Sequence, residues 1–180
     1  MNSFSLIPEE PGHSAAIDRL NDRGFGRERF RKTVYKLRKG VPPVASLSLV
    51  ALDAAGRVAG SLRFWPVAMG VEAVPALLLG PLVVDETLRG GGIGSALMRR
   101  GLDLARAQGH RAVVLVGDEP YYRRFGFERR LARDLLLPGP VDAERFLGLE
   151  LASGGLEGAS GMLKPAGGGR RVAATAGRAA

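Results

Sequence analysis

Hydrophobic and polar positions change their period several times along the chain, and each change marks a predicted element. Residues 13–22 and 27–39 carry apolar side chains at helical spacing and predict two helices joined by Arg23-Gly-Phe-Gly26. In the second, Phe30, Val34 and Leu37 recur on one face and leave the arginines and lysines on the other. Val41-Pro-Pro-Val44 opens a β region. There Ala45–Leu52 and Arg57–Trp65 read as strands around a hairpin loop, Asp53-Ala-Ala-Gly56. A turn around Met69-Gly-Val-Glu72 leads into a long strand that ends at Val84. The next period is helical, from about Gly92 to Gln108, burying Ile93, Ala96, Leu97, Gly101 and Leu104, with Gly109 as C-terminal cap.

Ala112–Val116 is apolar at every position, as expected of a central strand covered on both faces. A helix over Glu119–Phe125 and a strand over Phe127–Leu137 follow, then a loop at Pro138-Gly-Pro140. Val141–Leu151 reads as helix and then extended chain, and Gly161–Lys164 as a last short strand. The order is helices, an antiparallel meander, then one β-α-β crossover. It predicts an α/β fold with a mixed sheet, an antiparallel meander plus a parallel strand pair, rather than a regularly alternating doubly wound one. No repeat is visible. Residues 1–164 are expected to form one domain, and residues 165–180, rich in Gly, Ala and Arg, a disordered tail.

With 180 residues, the chain can bury roughly two-thirds of its unfolded surface without covalent staples. It has no cysteine, which excludes disulfides and thiolate metal sites. The two histidines, His13 and His110, are far apart, so no metal site is expected. No apolar run reaches membrane-spanning length and no signal pattern opens the chain, so a cytoplasmic protein without a membrane partner is expected. The net charge of +8 is unevenly placed: Arg19 to Lys39 holds nine basic residues against Asp22 and Glu28. Two readings stay open, a solvated helix face or a surface that attracts an anionic acceptor or a polyanion.

The candidate chemistry lies between Leu77 and Arg100, where an apolar strand runs through Arg89-Gly-Gly-Gly92-Ile-Gly94 into an amphipathic helix. Amides at a helix start are unpaired and sit at the positive end of its dipole, and glycines let a phosphate approach them. A P-loop requires Gly-Lys-Ser/Thr, which is absent. A dinucleotide fingerprint has two of its glycines in Gly92 and Gly94, but Leu97 stands at the third position. Asp118 after the next strand keeps that alternative open, as does a loose turn without a ligand.

The third pattern, Arg/Gln-x-x-Gly-x-Gly/Ala between strand and helix, is matched by Arg89 to Gly94. Together with Gly80-Pro-Leu-Val-Val-Asp85 before it and Pro120-Tyr-Tyr-Arg-Arg-Phe-Gly-Phe127 after it, the sequence resembles the GNAT superfamily of N-acetyltransferases. The likeness covers roughly residues 4–164 and is greatest to bacterial members known only as predicted acetyltransferases. It implies acetyl-CoA, or another acyl-CoA, as co-substrate and a small-molecule or peptide amine as acceptor, attacked directly in a ternary complex. Amides of Gly90, Gly91, Gly92, Ile93, Gly94 and Ser95 would hold the pyrophosphate, with Arg89 framing the loop. The resemblance also implies that the strand carrying Pro81, which marks an edge or a bulge, splays from its parallel neighbour. Backbone groups of Leu82, Val83 and Val84 would then pair with the pantetheine arm.

By family spacing Tyr122 takes the general-acid position, with Tyr121 as the competing assignment. The strand segment Ala76-Leu-Leu-Leu79 lacks the carboxylate many relatives use as base, which leaves Glu28, Glu72, Asp118, Glu119 or a water chain. Gly117-Asp118-Glu119 stands where many relatives carry an asparagine. A basic acceptor cleft would disfavour polycationic amines. A non-catalytic acyl-CoA sensor is the alternative function. Aromatics are too few, and none lies among the tail's charges, for a base-stacking nucleic-acid surface. A homodimer is compatible with the family but is not readable from sequence.

Overall fold

The computed structural model describes residues 3–166. Its elements in chain order are β1 (Phe4–Pro8), α1 (Ser14–Phe25), α2 (Thr33–Lys36), β2 (Leu49–Asp53), β3 (Val58–Met69), β4 (Val74–Val84), α3 (Ile93–Ala107), β5 (Ala112–Val116), α4 (Glu119–Tyr122), β6 (Leu135–Leu136), β7 (Phe146–Glu150) and β8 (Gly161–Pro165), with 3-10 turns between several of them. The sheet runs β1-β2-β3-β4-β5-β7, and β8 pairs with β3 and with β6. β1 to β4 form the antiparallel meander, β4 and β5 pair in parallel, and β5–β7 is antiparallel again. This is the predicted mixed α/β sheet flanked by helices.

Alternation along β3 and β4 divides their side chains between two cores. Leu62, Phe64, Leu77 and Leu79 pack with Ile93, Leu97, Met98, Leu102 and Ala105 of α3. Val67, Met69, Ala76 and Leu78 pack with Leu37, Leu135, Phe146 and Leu163 on the opposite face. Gly101 lets α3 lie close to the sheet, since a Cβ there would stand 2.8 Å from both Leu62 and Phe64 side-chain carbons. The buried stripe of α3 includes Met98, Leu102 and Ala105, whereas Ala96 and Leu104, expected inside, are half-buried.

Four local expectations are corrected. β1, an edge strand closed by Pro8, lies where the sequence pattern showed no strand. Ala45–Leu47 forms a 3-10 turn instead of opening a strand, because Ser48 Oγ donates to the Val44 carbonyl at 3.0 Å and closes the chain there. Phe127–Leu137 is not a continuous strand: Glu128 bridges to Gly148, Arg129–Ala132 forms a 3-10 turn, and only Leu135–Leu136 pairs, with β8.

The basic segment 27–39 is not one helix with a solvated face. It is a 3-10 turn over Arg27–Arg31 and the short α2, interrupted at Lys32 in extended conformation. Tertiary contacts hold it, as expected for helical pieces too short to stand alone. Thr33 Oγ1 donates to the Pro140 carbonyl at 2.8 Å and Lys36 Nζ to that of Pro138 at 3.0 Å. Phe30 is exposed, while Arg29 and Arg38 are buried. At the C-terminal end, Pro165 is the last residue of β8, opposite Val67, and Ala166 N donates to the Pro66 carbonyl at 3.2 Å; residues 167–180 of the expected tail lie outside the described residues.

Candidate active site

The parallel pairing of β4 and β5 extends over only two positions, Leu77 with Val113 and Leu78 with Val114. Beyond them β4 pairs only with β3 and β5 only with β7, so the sheet opens as a wedge. The cause is local. Between Leu62 and Phe64 of β3, β4 advances from Leu82 to Leu79, which is one extra residue at Gly80-Pro81. Pro81 has no N–H to give to a ladder, and the left-handed φ of Gly80, +122°, suits a glycine at the bulge. Trp65 Nε1 donates to the Gly80 carbonyl at 2.6 Å and fixes the bulge from β3.

Alternation in an antiparallel ladder then decides which backbone groups face the wedge. Asp85 donates to the Ala59 carbonyl at 2.8 Å, so Val83, two residues earlier, also turns its backbone toward β3. Leu82 and Val84 turn theirs away from β3. A cleft of about 450 Å³ occupies the wedge, bordered by Leu79–Leu82 on one side, Val116–Asp118 and Tyr122 on the other, and residues of the 25–38 and 140–145 segments above.

The glycine-rich turn follows directly from β4. Asp85 accepts from Thr87 N at 3.0 Å and Oγ1 at 2.7 Å, and pairs with Arg23 of α1 at 3.3 Å. Those hydrogen bonds, with Arg23 a smaller contributor, hold its carboxyl below the usual range. Gly90 and Gly92 have φ of +83° and +85°, where a Cβ would strain the backbone. No side chain caps α3, and its first internal bond runs from Ala96 to Gly92 at 2.9 Å. The amides of Ile93, Gly94 and Ser95 therefore precede the ladder and are free for a ligand. Gly91 differs, since its amide closes the turn on Leu88 at 3.3 Å, and Arg89 is exposed.

The two tyrosines separate. A Cβ on Gly94 would lie 2.9 Å from the Tyr121 hydroxyl, which places Tyr121 over the start of α3. Tyr122 lines the cleft, edge-on to Tyr121 and to Phe127. Its ring fills the space that Gly117 leaves: a Cβ there would stand 2.2 Å from Cε2. Burial pushes the Tyr122 hydroxyl up to about 12, with Tyr121 and Asp118 adding to the effect and Arg145 opposing it. At working pH the phenol is protonated, as a proton donor must be.

Of the four carboxylates considered as base, Glu28 pairs with Arg31 on the exterior, Glu72 is exposed in the turn before β4, and Glu119 pairs with Arg123. Asp118 is the one of the four on the cleft wall, 3.3 Å from Arg145. Sequence patterning missed the inward arginines. Arg29 is held by Asp22 and, at 3.8 Å, by Asp18, both on α1. Arg38 lies against the Tyr35 and Trp65 rings at 4.6 and 5.5 Å. Burial lowers it to about 10, although Tyr35 acts in the opposite sense. No sequence signal marked them, since Phe30, Val34 and Leu37 keep helical spacing through this segment.

Together these features define an acyltransferase-type site: a mixed sheet opened between two parallel strands, with an uncapped, glycine-led helix at the end of one of them. The model of the Acetyltransferase (GNAT) family matches residues 15–127, and the chain belongs to that family. YhbS, an uncharacterized N-acetyltransferase of Escherichia coli K12, is 36% identical over 156 residues, covering 87% of this chain and 92% of that protein. The crystal structure of the Escherichia coli GNAT family N-acetyltransferase YhbS in complex with CoA superimposes with a TM-score of 0.79 at 34% identity, over 92% of this chain and 91% of that one. A GNAT family acetyltransferase from Brucella melitensis in complex with acetyl-CoA gives a TM-score of 0.62 at 30% identity, covering 84% and 90%. Among the described residues, no cluster of potential metal ligands is present and no helix is long and apolar enough to cross a membrane.

Proposed function

We propose that this protein transfers the acetyl group of acetyl-CoA to a primary amine held with it in a ternary complex. The observation that carries this is the wedge between β4 and β5, which ends on free α3 amides and has Tyr122 on its wall. The pyrophosphate binds at Gly90, Gly92, Ile93, Gly94 and Ser95, framed by Arg89, where the helix dipole and unpaired N–H groups favour an anion. The pantetheine arm lies along β4 and pairs with backbone groups of Leu82 and Val84, while Val83 turns its backbone to β3 and its buried side chain to Gly24 of α1.

The amine attacks the thioester carbonyl from the open side of the wedge. A β4 amide stabilises the oxyanion, the C–N bond forms and the C–S bond breaks. Tyr122 gives its proton to the departing sulfur. Asp118 is engaged by Arg145, so the proton released by the amine passes to water in the cleft.

The test is an amine-library assay with free-thiol detection and mass analysis of the products. Thiol release that requires both acetyl-CoA and an added amine, with an N-acetylated product, supports the transferase. Tight acetyl-CoA binding with no amine-dependent thiol release across the library would instead favour a non-catalytic sensor.

A further inference from the structure

Arg38 is 9% exposed, and it borders both the cleft of the wedge and a second cleft of about 390 Å³. No carboxylate among the described residues forms an ion pair with it, and its Nε is buried without a hydrogen-bond partner. The neighbouring arginines are compensated, Arg29 by Asp22 and Asp18, Arg63 by Glu9 and Arg145 by Asp118, whereas Lys32 and Lys39, without an ion pair among the described residues, are exposed to solvent and Arg38 is not. Tyr35 and Trp65 fix the guanidinium through their ring faces, which orients the charge without neutralising it. A desolvated cation left in this way is costly unless an anion joins it.

Its position gives that anion a purpose. Arg38 Nη2 lies 3.2 Å from the point where Gly80 would carry a Cβ, so the guanidinium rests on the β4 bulge at the mouth of the wedge. The same cleft carries Asp142 beside the Asp118–Arg145 pair, which leaves one carboxylate in excess there. A small molecule with an anion and an ammonium group a few bonds apart matches this polarity. The guanidinium fork suits a carboxylate.

We propose that Arg38 binds the carboxylate of the acceptor, and that the acceptor class is therefore amino-acid-like: a primary amine with a carboxylate close to the nitrogen. Arg38 is a positioning and specificity residue that turns the amine toward the thioester. The proposal rests on the transferase function given above.

The test pairs N-acetyl amino acids with their primary amides, as product analogues, in calorimetric titrations into the protein saturated with CoA. In at least one pair the carboxylate binds about tenfold tighter or better than the amide. Arg38→Gln reduces that preference to within about twofold, Arg38→Lys restores part of it, CoA affinity stays level in both, and the melting temperature of Arg38→Gln does not fall. Equal binding within every pair, or a preference that survives Arg38→Gln, overturns the proposal. The wild-type comparison alone decides this if a variant fails to fold. Amine-dependent thiol release without a carboxylate preference would leave the transferase standing and remove the role of Arg38. An Arg38-dependent preference without thiol release would do the reverse.

Discussion

Tyr122 reaches the cleft because Gly117 has no Cβ, and the pair makes two separable predictions. Tyr122→Phe keeps the ring and removes the hydroxyl to which the proposed mechanism gives the proton transfer. It is expected to lower kcat by about 100-fold while changing the acetyl-CoA Kd by less than about twofold, as steady-state kinetics and titration would show. Because burial raises the hydroxyl to about 12, its acid form persists well above the ordinary tyrosine value near 10. Wild-type kcat should therefore show no fall centred near pH 10 from loss of this proton, and such a fall would remove Tyr122 from the role. Gly117→Ala would drive a methyl into the ring. It is expected to cost about 1–3 kcal/mol in chemical denaturation and to lower kcat by displacing the hydroxyl. The family resemblance pointed to Tyr122 over Tyr121 by its spacing; the reason they separate lies in Gly94 and Gly117, whose missing side chains mean nothing until partners are known.

At the scale of elements, α3 and its turn were legible because local chemistry determines them. Positive φ at Gly90 and Gly92, the free first amides and the buried stripe all follow from residues near one another in sequence. Gly94→Val is expected to weaken acetyl-CoA binding by about tenfold or more, well beyond what the roughly 1 kcal/mol cost of a changed backbone preference explains. Displacement of Tyr121 should accompany it, and titration with a parallel thermal melt separates the two effects. Segment 27–39 was misread for the opposite reason. Its apolar spacing suits a helix, but Thr33 and Lys36 are claimed by the 138–140 loop, far away in sequence, and Arg29 by the preceding α1. Phe127–Leu137 failed similarly, since Gly148 of β7 is what lets Leu131 turn inward there.

Across the whole molecule, the mixed sheet was readable from the order of elements, and the β4 bulge from Pro81. The sheet's outer edges were not: β1 is too short to show a clear period, and β6 pairs over two residues only. Charge behaves as a global property. A net +8 with four basic side chains on the cleft, Arg29, Lys32, Arg38 and Arg145, opposes a polycation approaching the site. Spermidine is expected to be acetylated with a lower kcat/KM than neutral or acidic amines at low ionic strength, and the gap should narrow as salt is added. Efficient spermidine acetylation at low salt would contradict this.

The wedge also means that the sheet has a third edge, in its interior. Past Leu78 and Val114 two neighbouring strands each have a side without a partner, buried by position yet lacking a ladder. Amides there should exchange with solvent deuterium faster than those of Val113 or Ala51 although they lie closer to the centre of the sheet than β1 does. Outer edges invite pairing with foreign strands and are blunted by prolines, charges and shortness. This inner one is sheltered by depth, admitting a single extended arm but no second protein chain. Occupying it would complete the hydrogen bonding of the sheet, so a ligand that slows exchange at Leu82 and Val84 would act, for as long as it stays, as a ninth strand beside the eight of the sheet.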